Sequence, residues 1–176
     1  MGTLAKKLCM VGDFGVGKTS LIRRFVERQF SDRYLSTVGV KISRKTVTVT
    51  DDQQGNQELK LLIWDIEGQT KFKAIAPSYL QGASGILVVG DVSRQETIEH
   101  VTDHVQNFLG INQRGFVAIA LNKADLINRE ELAQLASGLQ GVSEQVIGIY
   151  PTSAKTGENV DSVFDHLAKT IWLERH

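Results

Sequence analysis

Short β-rich apolar runs alternate along this chain with stretches whose apolar residues recur at helical spacing. Residues 8–11 precede 19–26, 85–92 precede 97–109, 116–121 precede 130–139, and 146–150 precede 160–173. Two further runs, 40–49 and 59–64, stand next to each other, joined by Asp51-Asp52-Gln53-Gln54-Gly55-Asn56. The alternation predicts an α/β domain of three layers, a six-stranded, mostly parallel sheet with helices on both faces. The turn-rich bridge suits a hairpin, which puts one antiparallel edge on that sheet. Ile86-Leu87-Val88-Val89 and Val117-Ala118-Ile119-Ala120 are apolar at every position, as strands are when both of their faces are covered.

Composition narrows the picture. The 176 residues, 41% of them apolar, suit a single domain over 1–176. Lys plus Arg equals Asp plus Glu at 20 each, so no nucleic-acid partner and no anionic surface is implied by charge. The one cysteine, Cys9, lies in an apolar run and reads as a buried core thiol. No apolar stretch approaches the roughly 20 residues that span a bilayer, and the first residues lack a signal-peptide segment, so a cytoplasmic protein is expected. Lys6 stands where myristoylation needs Ser or Thr, and Leu173-Glu174-Arg175-His176 has no cysteine to prenylate. No lipid anchor is therefore expected in this chain. Membrane association would need a missing tail or a recruiting partner.

Ligands of such sheets bind outside the carboxyl ends of the strands, and there the chemistry-bearing residues fall. Gly12-Asp13-Phe14-Gly15-Val16-Gly17-Lys18-Thr19 follows the first strand and opens the first helix. It matches the Gly-x-x-x-x-Gly-Lys-Ser/Thr phosphate loop, and the strand-loop-helix context makes the match strong. The glycines let the backbone N–H groups of Gly15, Val16 and Gly17 turn inward around phosphate oxygens. The helix start at Lys18, Thr19 and Ser20 adds a positive dipole end. Lys18 is expected to reach the β- and γ-phosphates, and the Thr19 hydroxyl to ligate Mg²⁺. Without the motifs downstream, a glycine-rich turn before a lysine-capped surface helix would read the same way.

Asn122-Lys123-Ala124-Asp125 ends another strand. The Asp125 carboxylate can accept from the N1–H and N2 amino group of guanine, donors that adenine lacks in that arrangement. Discrimination of roughly tenfold to a hundredfold follows. The Lys123 stem can lie along the base. Ser153, Ala154 and Lys155 follow the last strand, where the Ala154 N–H could meet the guanine carbonyl; an N-cap and turn before the final helix is the competing reading.

These motifs, in this order, resemble those of the Ras superfamily of small GTPases, and the flanking sequence resembles the Rab-like branch most. The likeness runs from about Lys6 to Ile171 and includes 34–40, Trp64-Asp65-Ile66-Glu67-Gly68-Gln69, Ser78-Tyr79 and 85–89. It implies the small G-protein version of the P-loop NTPase fold, GTP or GDP with Mg²⁺ as ligands, and slow GTP hydrolysis. Thr37 resembles the switch I threonine that ligates Mg²⁺ and touches the γ-phosphate only with GTP bound. Asp65 resembles the aspartate that holds Mg²⁺ through water, Gly68 the switch II glycine that senses the γ-phosphate, and Gln69 the residue that orients the attacking water. Phe30 falls where the family sets an aromatic ring against the guanine, although a lid aromatic that simply packs would look alike. An effector, an exchange factor and a GTPase-activating protein are the implied partners, through switch I and switch II, and a monomer is expected.

The chain departs from the family pattern beside the γ-phosphate. Phe14 replaces a small residue and is expected to crowd Gln69 and any incoming arginine, giving hydrolysis on the order of 10⁻⁴ s⁻¹ or less. Ile66 and Glu67 replace Thr and Ala. Glu67 either repels the nucleotide and competes for Mg²⁺, weakening GTP relative to GDP, or swings to solvent. Thr70 replaces the usual glutamate after Gln69. Two functions follow: a GTPase used as a switch, and a GTP-gated binding module with little hydrolysis. Gln69, Thr37 and Gly68 favour the first. A metabolic nucleotide kinase is disfavoured, because no arginine-rich lid for a second phosphorylated substrate is evident.

Overall fold

The computed structural model describes residues 3–33, 39–68 and 75–174. Six strands form one sheet: β1 (Leu4–Val11), β2 (Val40–Asp51), β3 (Gly55–Ile66), β4 (Gly85–Asp91), β5 (Phe116–Asn122) and β6 (Val146–Pro151), in the spatial order β2-β3-β1-β4-β5-β6. Only β2 and β3 run antiparallel; the other four pairings are parallel. This is the architecture expected from the sequence, with the hairpin at the edge.

The hairpin turn is tighter than its polar bridge suggests. Asp51 pairs with Gly55, and the Asp51 carboxylate accepts from the N–H groups of Gln53 and Gln54 at 2.9 and 3.2 Å. That side chain supplies the turn with acceptors its own backbone lacks. Its other oxygen accepts from Nε1 of Trp172 at 2.9 Å, which fixes the hairpin's far end to the last helix.

Helices α1 (Lys18–Glu27) and α6 (Val160–Leu173) cover one face. The other face carries α2 (Pro77–Leu80), α3 (Gln95–Glu99), α4 (Val101–Ile111) and α5 (Arg129–Gly138). Strand periodicity divides the core between them. Leu8, Met10, Leu87 and Val89 face α1 and α6, whereas Cys9, Val11, Ile86 and Val88 face α4 and its neighbours. The Phe25 and Phe164 rings stack at 4.2 Å between α1 and α6; each such buried ring contributes about 1.5–3 kcal/mol. Burial pushes the Cys9 thiol up to about 12 against the opposing effect of Lys7, in keeping with an inert core cysteine.

The one long amphipathic stretch expected over 97–109 is in fact two helices that meet at His100. His104 donates its N–H to the carbonyl of His100 across this junction, so the two rings stand on one side and meet the loop after β1.

Candidate functional site

At the carboxyl end of β1 the chain wraps through 12–17 in a conformation that needs glycine. Gly15 and Gly17 have φ of 75° and 102°, in the left-handed region that other residues enter only at a cost. Space is also closed: a Cβ on Gly17 would stand 2.4 Å from Nδ2 of Asn122, and one on Gly12 would stand 2.3 Å from the carbonyl oxygen of Val89. The loop is thus pressed against the ends of β4 and β5. α1 begins at Lys18 with Gly17 as its cap and no side chain satisfying its first turn, so its positive end is presented to the hollow.

The Lys18 ammonium folds into this loop and donates to the carbonyls of Gly12 and Asp13 at 2.9 and 3.0 Å. Burial pulls its pKa down to about 8; Asp65 and Asp13 oppose this, and Arg94 adds to it. A cation held where desolvation opposes its charge is placed to receive anionic oxygens. Beside it the Thr19 hydroxyl donates to Oδ2 of Asp65 at 2.5 Å, and Asp65 is buried. A hydroxyl and a carboxylate are both oxygen donors, the set that Mg²⁺ selects. A Cβ on Gly68 would lie 2.7 Å from both Nζ of Lys18 and the backbone N of Phe14, so only glycine lets this backbone rest on the loop.

The base end is built by cross-bracing. Asn122 donates through Nδ2 to the carbonyl of Val16 at 2.9 Å and accepts from the Thr152 hydroxyl at 3.1 Å. Lys123, at a left-handed φ of 62°, donates to the carbonyl of Gly15 at 3.0 Å and pairs with Oδ2 of Asp91 at 2.8 Å. Burial pushes the Asp91 carboxyl up, but Lys123 and Ser93 outweigh it and hold the group below the usual carboxylate range. Ser153 donates to Oδ1 of Asp125 at 2.8 Å and accepts from the Thr156 N–H at 3.1 Å. Asp125 is nonetheless exposed.

Between the two ends lies a cleft of about 340 Å³. Its phosphate end is lined by Gly15, Gly17, Lys18, Thr19, Ser20 and Gly68, and its base end by Phe30, Asn122, Lys123, Asp125, Ala154 and Lys155. Phe14 also lines it, as expected of a residue beside the phosphates. Val16 and Ser153, also expected at the site, are fully buried and do not line the cleft. Thr37, Gln69 and Thr70 lie outside the described residues. Glu67 does not swing free: its carboxylate accepts from the N–H of Gly39 at 3.2 Å.

Sequence reasoning missed a second set of braces. The Asp13 carboxylate is held by Nδ1 of His100 at 2.5 Å and by Nε2 of His104 at 3.1 Å. Burial raises this carboxyl, while the hydrogen bonds from His104 and His100 and the charge of both rings lower it further, and the balance is downward. Arg94 donates to the carbonyl of Phe14 at 2.8 Å. The signal for Asp91 was present, a carboxylate closing the otherwise apolar 85–91; nothing in the spacing of 94, 100 and 104 marks them as neighbours of the loop.

A model of the Ras family matches residues 7–173. Among curated relatives, the Ras-related protein Rab-13 of Canis lupus familiaris is 35% identical over 169 residues, covering 96% of this chain and 80% of the relative. The GTP-binding protein ypt5 of Schizosaccharomyces pombe is 35% identical over 173 residues, covering 98% and 80%. The human Ras-related protein Rab-22A is 35% identical over 170 residues, covering 94% and 82%.

Proposed function

The chain belongs to the Ras family, and from that premise we propose that it is a guanine-nucleotide switch that binds GTP or GDP with Mg²⁺ and slowly hydrolyses GTP. The observation that carries this is the interlock of the two ends of the cleft. Asn122 and Lys123 hold the carbonyls of Val16 and Gly15, so the residues that meet the base also shape the loop that meets the phosphates. A ligand that bridges them, a purine nucleotide with a phosphate chain, suits both ends at once.

Asp125, fixed through Ser153, accepts from the guanine edge, with Phe30 and the Lys123 stem flanking the ring. Lys18 exchanges its two loop carbonyls for phosphate oxygens. Thr19, Thr37 and Asp65 would hold Mg²⁺, which would neutralise charge building on the phosphates. Gln69 orients the attacking water, while the N–H groups of Gly68 and Thr37 read the γ-phosphate. Once that phosphate leaves, both lose a partner, switch I and switch II relax, and an effector, exchange factor or GTPase-activating protein meets a different surface.

Phe14 sets the pace in this reading. Phe14 lines the cleft and its carbonyl is fastened by Arg94, which supports the expectation that its ring crowds Gln69 and the attacking water. We read 1–176 as one domain working as a monomer. None of the helices among the described residues is long and apolar enough to cross a membrane, and the cytoplasm is its proposed place.

Equilibrium binding of a fluorescent GDP against competing ADP tests the core of this proposal. GDP displacing the probe with ADP inert is the expected result; equal displacement by both would refute guanine selection.

A further inference from the structure

At the cleft end of the hairpin the β2–β3 ladder finishes on the pair Val40 and Ile66. One residue further on, Glu67 donates its backbone N–H to the carbonyl of Gly39 at 2.8 Å. Its carboxylate Oε2 accepts from the N–H of the same Gly39 at 3.2 Å. Both polar groups of the Gly39 backbone are therefore held by one residue. The second bond needs an acceptor on a side chain of that reach, which the Ala of the family pattern lacks.

Gly39 fits the other half of this clasp. Its φ is 72°, a left-handed angle, and a Cβ there would meet nothing within 4 Å. Backbone conformation, not space, calls for glycine at this position. Gly39 and Glu67 are both half-buried, so the carboxylate–amide bond is partly shielded from water and strengthened by the charge on its acceptor.

Position gives the clasp its consequence. Gly39 lies two residues after Thr37, and Glu67 immediately precedes Gly68, whose backbone rests against Lys18 and Phe14. Resting on the switch reading above, we infer that Glu67 is a positioning residue that ties the roots of switch I and switch II together, so that ordering either by the γ-phosphate favours ordering the other. The clasp strengthens the preference for GTP over GDP. Simple repulsion between the Glu67 carboxylate and the phosphates would weaken it, and the two accounts differ in sign.

Glu67→Ala and Glu67→Gln separate them, the glutamine keeping an acceptor of the same reach without the charge. Two quantities are read on the intact chain: hydrogen exchange at the Gly39 amide, and the ratio of dissociation constants for a non-hydrolysable GTP analogue and GDP. With Glu67→Ala, Gly39 exchange should speed up about fivefold, and the ratio should move roughly threefold or more against the GTP analogue. Glu67→Gln, which keeps the acceptor without its charge, should fall between wild type and Glu67→Ala in both. An unchanged Gly39 amide in Glu67→Ala overturns the clasp. A shift toward the GTP analogue in both variants overturns it in favour of repulsion. If wild type binds neither nucleotide, the switch reading fails by itself, while Gly39 exchange without nucleotide still reports on the bond.

Discussion

The two ends of the cleft are built differently. At the base end, Asn122, Lys123 and Thr152 are locked to one another or to the loop, and Ser153 holds Asp125. At the phosphate end the loop departs from the pattern at Phe14, and Glu67 departs from it close by. Phe14 faces the cleft, Arg94 and the histidine pair fasten the loop from α3 and α4, and Glu67 fastens Gly39. On the proposed reading, recognition of the nucleotide rests on the cross-braced end, and response to the γ-phosphate on the end that carries Phe14 and Glu67. Affinity and switching should accordingly respond to different substitutions.

The largest effect is expected at the shared brace. Asn122→Ala strips partners from the buried carbonyl of Val16 and from the Thr152 hydroxyl. It should cost about 2–4 kcal/mol in urea unfolding. GDP affinity should drop with it by roughly a hundredfold, and intact affinity would break the link between the two ends. Asp125→Ala comes next. Selectivity for GDP over ADP in competition binding should fall by roughly tenfold to a hundredfold, with the unfolding midpoint nearly unchanged because the side chain is exposed. At the other end, Phe14→Gly should leave GDP affinity alone and accelerate single-turnover hydrolysis by about tenfold. A changed affinity with an unchanged rate would place Phe14 with the frame instead.

The smallest effect is an acid one. Since Asp13 is held below the usual carboxylate range in the fold, the unfolded chain takes up its proton first as pH falls. Its contribution, about 1 kcal/mol, is then fully present above about pH 4 and is lost as pH falls through the lower folded value. Asp13→Asn should therefore show a shallower loss of stability below pH 4 than wild type when unfolding is followed across that range. Equal slopes would mean that the histidine contacts do not stabilise the charged carboxylate.

Much of this was legible in the sequence because it is written in short-range pattern. Alternating apolar runs fix the sheet, and the glycines and Lys18 fix the loop through backbone angles and a neighbouring helix start. The strand-end position of Asn122 then places it against Val16. What was not legible depends on long-range placement. His100 and His104 reach Asp13 across 87 and 91 positions of chain, a pairing that helical spacing does not announce. Glu67 read as a charge near a triphosphate, since no spacing rule says that a left-handed Gly39, far off in the chain, turns its N–H toward that carboxylate. Asp91 is an intermediate case, its burial foreseeable from the strand but its partner Lys123 not.

Single-turnover hydrolysis of bound GTP with Mg²⁺, run on wild type, Gln69→Leu and Phe14→Gly, separates a timer switch from a binding module. A timer switch predicts a wild-type rate on the order of 10⁻⁴ s⁻¹ or less, slower still in Gln69→Leu and faster in Phe14→Gly. GTP that stays bound and uncleaved in all three would contradict it and leave a module gated by GTP binding alone.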